Sequence, residues 1–311
     1  MLKEVWDTFI PDIKRNTYDH FKYLGYFKVM DQPSFVDYEM KPGNLVRYMS
    51  QPLFEEIDSW AADLVVTRST FETLDLSVRK MDRLPTYTYL ECVHYPDVLR
   101  KFHDMWSDIL TVEHLSLEET IHSIDWDKSP GFIPVRSGFR FKRDWFLSGH
   151  LPEIFEPELL TEVSLWSASG KVENKLRLKY VDKKKQRTFI VEGVELLFHH
   201  KRLYGNQNKA MKNVGWSAYG INPYDGGVND LAQCFNLPVR KGQKLLYICW
   251  DAALWDRIAA WMAVVWRLRN CCIPYDPCKE WVTHNNLHST VVLPNGDVIQ
   301  KDWGNNSGSG S

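Results

Sequence analysis

Long apolar runs are missing from this chain: nowhere in its 311 residues does it approach the ~20 consecutive apolar residues of a membrane-spanning helix. The opening Met1-Leu2-Lys3-Glu4-Val5-Trp6-Asp7 lacks the apolar stretch of a secretory signal. Both absences give the expectation of a cytosolic protein, unless partners bring it to a membrane. Cysteine is scarce. The six present (Cys92, Cys234, Cys249, Cys271, Cys272, Cys278) are too few and too irregularly spaced for a disulfide framework, so reduced, buried thiols are expected. Internal repeats and long low-complexity segments are also lacking.

What is present belongs to a globular protein of one large domain or two ordinary ones, with 44% apolar and 25% charged residues. Aromatic residues are plentiful, at 13 Trp, 14 Tyr and 15 Phe; they fill cores and also offer stacking surfaces for bases. The net charge of -2 hides an asymmetry. Between Lys171 and Lys212 stand 12 Lys/Arg against 4 Asp/Glu, a balance of +8 that leaves -10 for the rest. Such a block reads either as a polyanion site or as a solvated charged hairpin.

Periodicity predicts a mainly helical region up to about residue 125. It contains helices over Leu53–Leu64 and Asp97–Leu110, and a third that begins behind an N-cap at Ser116. Residues 121–150 carry an ordered loop around Ser129-Pro130-Gly131. A helix over Pro152–Trp166 is expected next, then strands Lys175–Tyr180 and Arg187–Val191 joined by the turn Asp182-Lys183-Lys184-Lys185. Leu245–Trp250 reads as a buried strand ending at Asp251, and Ile258–Leu268 as a buried helix. Pro294-Asn295-Gly296-Asp297 between Thr290–Leu293 and Val298–Lys301 is a strong hairpin signal.

Four sets of residues suggest chemistry. Asp251, at the end of a buried strand, has the hard oxygen donor that Mg²⁺ takes, with Asp256 about one helical turn further on; capping of the following helix is the alternative. Arg177, Lys179, Lys183, Lys184, Lys185 and Arg187 form a cationic set able to clamp a triphosphate, or simply an exposed turn. Asn305-Asn306-Ser307-Gly308 combines small residues with side chains that read a hydroxyl, although the terminal Gly-Ser-Gly-Ser also has the composition of a linker. Cys272, Cys278, His284 and His288 are metal-ligand types, but their Cys-to-His gap is shorter than a zinc finger's, which favours buried thiols and surface histidines.

Taken in order, the Ser-Pro-Gly loop, basic hairpin, Gly-Gly loop, Asp-x₄-Asp strand end, Asn-Gly hairpin and Gly-Asn-Asn-Ser-Gly form a recognisable succession. It resembles the RNA-dependent RNA polymerases of positive-strand RNA viruses, particularly the potyvirus–astrovirus lineage. The resemblance covers about residues 121–311. It implies that Ser129, Pro130 and Gly131 form the loop at the template entrance. Lys185-Gln186-Arg187-Thr188-Phe189, with Leu176-Arg177 upstream, resembles the basic fingertip motif over the incoming nucleotide, and Lys179 joins that set. Tyr224-Asp225-Gly226-Gly227 resembles the loop preceding the palm. Asp251 matches the first metal-binding, catalytic aspartate; Asp256 matches the residue that helps sense the ribose. Ser307 and Gly308 match the loop that supports ribose recognition.

The sequence departs from the family pattern in three places. Glu173-Asn174-Lys175 replaces Lys-Asp-Glu, and the residues between Asp251 and Asp256 are unusually apolar. The chain also ends before the Thr and Asn that complete the Ser-Gly motif and before any Gly-Asp-Asp.

The resemblance implies an α+β fold: the fingers and partial palm of a right-hand polymerase, truncated before Gly-Asp-Asp and inactive as a fragment. Residues 1–120 would form an N-terminal helical region and part of the fingers. Residues 121–243 would hold the fingers with the template loop and basic hairpin. Residues 244–311 would start the palm. The implied reaction joins nucleoside triphosphates to an RNA 3′-hydroxyl, with Mg²⁺ (or Mn²⁺) at two positions serving the attacking and leaving oxygens. Implied partners are RNA template and product, nucleoside triphosphates and other viral replication proteins, in membrane-associated complexes of the host cytoplasm. The alternative from another class is a non-catalytic RNA-binding protein using residues 171–212.

Overall fold

A computed structural model of the chain describes residues 5–28, 64–66, 71–82, 89–150, 163–171, 174–176, 187–212, 229, 262–302 and 306. The strands are β1 (Phe9–Ile10), β2 (Lys22–Phe27), β3 (Leu64–Val66), β4 (Leu165–Gly170), β5 (Asn174–Leu176), β6 (Thr188–Val191), β7 (Ser289–Val292) and β8 (Asp297–Lys301). The helices are α1 (Phe71–Met81), α2 (Tyr89–Leu110), α3 (Leu117–Ser123), α4 (Phe132–Arg136), α5 (Lys142–Trp145), α6 (Val194–Lys212), α7 (Met262–Cys271) and α8 (Cys278–Leu287).

Six strands form one mixed sheet in the order β1-β2-β8-β7-β4-β6, while β3 and β5 pair apart from it. Within the large sheet β4 and β7 run parallel, and the other neighbours are antiparallel. All four residues of central β7 are buried, whereas β2 alternates, burying Tyr23, Gly25 and Phe27 in the period of two that covers one face of a strand. The β7–β8 hairpin closes as its Asn-Gly sequence predicts. Gly296 takes φ 86°, its N–H donates to the Leu293 carbonyl at 2.8 Å, and Leu293 N–H donates to Asp297 O at 2.8 Å.

Helix α6 carries the core: Leu196, Phe198, Leu203 and Tyr204 are fully buried, and Tyr204 meets Trp266 of α7 edge-on at 5.0 Å. Gln207 ties three helices together. Its Nε2 donates to the carbonyls of Leu110 (2.9 Å) and Arg269 (3.0 Å), and Arg269 Nε donates back to its Oε1 at 3.0 Å. Burial pushes the Arg269 guanidinium down to about 10 while it lies over the Tyr204 and Trp266 rings. The predicted N-cap at Ser116 is a full capping box: its Oγ accepts from Glu119 N–H at 3.2 Å, and its own N–H donates to Glu119 Oε2 at 2.8 Å.

Several expectations are corrected. The first 125 residues are not simply helical, because residues 9–10 and 22–27 are strands, and β2 is held on β8. Asp297 accepts from Tyr23 Oη at 3.0 Å and Asn16 Nδ2 at 3.1 Å, and Arg15 pairs with it at 3.3 Å. Asp82 closes the same segment by accepting the N–H groups of Asp19, His20 and Phe21. Leu64 opens a strand instead of ending a helix, and Leu165 and Trp166 belong to β4, not to a helix begun at residue 152. Strand β5 pairs with β3, not with β6, so the basic hairpin's two strands stand in different sheets among the described residues. Helix α2 passes through Pro96 and starts at Tyr89. Residues 53–63, 177–186, 215–227 and 245–261, where further elements are expected, lie outside the described residues.

Candidate template and nucleotide site

The loop at Ser129-Pro130-Gly131 is built by backbone packing. Val194 N–H, at the first residue of α6, donates to Pro130 O at 3.0 Å. Gly131 takes φ 97°, and a Cβ there would lie 2.8 Å from Gly193 Cα, so two glycines let two segments meet backbone to backbone. Pro130 and Gly131 are buried, whereas Ser129 is exposed, its Oγ accepting from Gly131 N–H at 3.4 Å. Helix α4 follows directly, and Ile124, Trp145, Val194 and Phe198 pack into one apolar cluster nearby.

Charge is buried in the same neighbourhood. Glu192, between β6 and α6, sits 3.1 Å from His200 Nδ1, with both side chains almost fully buried. Lys142 is buried too; its Nζ donates to the Asp125 carbonyl at 3.5 Å. Burial pushes its ammonium below the usual lysine range, against the pull of Asp125 and Glu192.

Arg187 lies at the other end of β6. It is exposed, and its carbonyl accepts from Lys171 N–H at 2.8 Å, which sets two exposed cations on neighbouring strands at one end of the sheet. The four residues of β6 separate Arg187 from Glu192, so the five steps between them span roughly 17 Å at the rise of a strand. Strand β6 therefore spaces the Ser-Pro-Gly loop from this cationic end. The basic segment 171–212 divides accordingly: on α6, Arg202 is committed to Asp276 at 2.7 Å, Lys201 is half-buried and Lys209 is exposed.

Of the Gly-Asn-Asn-Ser-Gly segment, Asn306 is described. It is 2% exposed and folds back on the end of the β7–β8 hairpin: Lys301 Nζ donates to its Oδ1 at 2.7 Å, and its Nδ2 donates to Ser289 Oγ at 2.5 Å. Asp251, Asp256, Arg177, Lys179, Lys185, Ser307 and Gly308 lie outside the described residues. Sequence reasoning missed Lys301, Asp82, and the Glu192–His200 and Lys142 group; each is a polar residue whose partners are set by tertiary packing, with no local signal.

The Cys and His residues do not converge. Cys272 packs against Trp106 and Leu110, whereas Cys278 belongs to the main core, its thiol pushed up to about 11 by burial. The His284 and His288 rings lie 4.8 Å apart, and His288 Nδ1 is 3.0 Å from Asp302. Among the described residues no three His, Cys, Asp or Glu side chains are grouped to hold a metal ion.

A comparison with curated proteins finds no match. A comparison with family models matches one described as viral RNA-dependent RNA polymerase over residues 43–311, more than four-fifths of the chain. That span takes in the Ser-Pro-Gly loop, Arg187, Asp251 and the Ser307–Gly308 pair. The chain belongs to the viral RNA-dependent RNA polymerase family.

Proposed function

We propose that this chain provides the fingers and the start of the palm of a polymerase from the potyvirus–astrovirus lineage of positive-strand RNA viruses. Residues 1–120 and 121–243 contribute to the fingers, and 244–311 open the palm. The family match across residues 43–311 carries the reading. The order of motifs supports the lineage, and the placement of Ser129 and Arg187 at opposite ends of β6 suits a template path set apart from a triphosphate site.

In this reading the RNA 3′-hydroxyl attacks the α-phosphorus of a nucleoside triphosphate. The hydroxyl gives up its proton to solvent, the new O–P bond forms as the bond to the oxygen bridging the α- and β-phosphorus breaks, and pyrophosphate leaves. Asp251 offers the carboxylate oxygen that a hard divalent cation takes, so it is the catalytic metal ligand, for Mg²⁺ or Mn²⁺. Such an ion supplies neutralisation of phosphate charge when bound. Arg177, Lys179, Lys185 and Arg187 hold the triphosphate. Asp256, Ser307 and Gly308 read the ribose, and Ser129-Pro130-Gly131 guides the template. The enzyme would work in host cytoplasm, in membrane-associated complexes with other viral replication proteins. Among the described residues no helix is long and apolar enough to cross a membrane.

The second reading, a non-catalytic RNA-binding protein, is favoured by the exposed Lys171 and Arg187 at one sheet end. Binding of a fluorescent nucleoside triphosphate to the 311-residue chain, titrated with Mg²⁺ and with salt, separates the two. The polymerase reading expects Mg²⁺ to tighten nucleotide binding and Asp251→Ala to remove that gain. RNA binding with a steep salt dependence but no response to Mg²⁺ or to Asp251→Ala would support the second reading instead.

A further inference from the structure

We infer that Lys301, Asn306 and Ser289 form a polar clasp that positions the Ser307–Gly308 loop, and thereby sets how strongly the enzyme prefers ribose to deoxyribose. The loop's role in reading ribose rests on the function proposed above. The clasp itself rests on geometry. Ser289 and Lys301 are directly paired across the β7–β8 hairpin, so their side chains leave the same face of the sheet. The chain leaves β8 at Lys301 and returns within five residues to lay the Asn306 amide across that pair. Each half of the amide is used, the oxygen by the Lys301 ammonium at 2.7 Å and the nitrogen by the Ser289 hydroxyl.

The anchor extends into the core. Ser289 Oγ donates to the Asn286 carbonyl at 3.0 Å and lies 3.3 Å from that of Asn285, in the last turn of α8. The Asn285 side-chain oxygen accepts from Ser164 N–H at 2.8 Å, and its carbonyl accepts from Trp166 Nε1 at 3.0 Å. Asn306 is thus fastened through two residues to β4, the strand parallel to β7. Lys301 is 3% exposed, and an ammonium is costly to bury merely to end a hairpin. Its contact fixes the residue directly before Ser307. A loop that discriminates one hydroxyl needs its backbone placed to a fraction of an ångström, and a charge-assisted hydrogen bond to the adjacent residue provides that placement.

The test uses three variants: Asn306→Ala, Asn306→Asp, and the double variant Lys301→Met with Asn306→Leu. Asp keeps an acceptor for the ammonium and can accept from Ser289. The double variant removes the buried charge together with its partner, so it recovers folding without recovering the clasp. Two quantities are read on the 311-residue chain: deuterium exchange in the peptide following Asn306, and the ratio of affinities for a fluorescent ATP and its 2′-deoxy analogue.

Asn306→Ala should speed exchange about tenfold and bring the affinity ratio towards one by weakening ATP binding, with the affinity for the 2′-deoxy analogue changed by less than about threefold. Asn306→Asp should stay near wild type. The double variant should melt like wild type yet keep the fast exchange. Unchanged exchange in both Asn306→Ala and the double variant overturns the clasp. Exchange that responds as expected in a wild-type chain with no ribose preference upholds the clasp as an anchor, but overturns both its part in sugar selection and the role given to Ser307.

Discussion

The two ends of β6 are held in opposite ways. At its C-terminal end the Ser-Pro-Gly loop is pressed onto Gly193 with no space for a Cβ, above the buried Glu192–His200 pair and close to buried Lys142. At its N-terminal end Arg187 and Lys171 are exposed, joined through one backbone hydrogen bond. The contrast separates two uses of a short strand. One end is a structural fixture whose chemistry is spent on packing; the other carries two cations at the protein surface. Substitutions at the first end should cost stability, and substitutions at the second should cost binding.

The sharpest break should come from Gly131→Ala. A methyl group at φ 97° is strained and would meet Gly193 Cα at 2.8 Å, so a loss of about 3 kcal/mol is expected in chemical denaturation. A variant that melts like wild type would show that the loop is not seated on Gly193. Next in size is Glu192→Ala, which takes a hydrogen-bond partner from buried His200 and should cost about 2 kcal/mol. Glu192→Gln should recover much of that, and equal losses in both variants would point to the charge, not the hydrogen bond.

Arg187→Ala should do the reverse. Stability should hold within about 0.5 kcal/mol, while triphosphate affinity falls about tenfold. A drop in melting temperature without a change in nucleotide binding would make Arg187 part of the scaffold. Smallest should be Ser129→Ala, whose exposed hydroxyl has, among the described residues, a long contact to Gly131 N–H. Stability should again hold within about 0.5 kcal/mol, and any effect should appear in RNA binding, read by titration with a labelled template strand.

The features legible in the sequence are those with local causes. The Ser116 capping box needs Ser and Glu three residues apart, and the β7–β8 turn needs Asn-Gly. The Ser-Pro-Gly loop is likewise marked by its own residues. Strand β2 escaped detection because its partner β8 lies some 270 residues away, so no periodicity near Tyr23 announces the pairing. Strand β4, Leu-Trp-Ser-Ala-Ser-Gly, mixes apolar and small residues after an apparently helical stretch, and its period is ambiguous over six residues. The split of the basic segment was hidden for a related reason: charge counts along the chain do not reveal that β5 and β6 belong to different sheets. In the candidate site, Asn306 stood within a motif, but Lys301 became visible only when the hairpin placed it opposite Ser289.

Templated nucleotide incorporation, compared between wild type and Asp251→Ala at matched RNA occupancy, tests the proposed chemistry most directly. Loss of a metal-ligating carboxylate should lower incorporation by about a thousandfold or more while RNA binding is retained. Incorporation at near wild-type rates by the Asp251→Ala enzyme would contradict the assignment of Asp251 and the active site built around it.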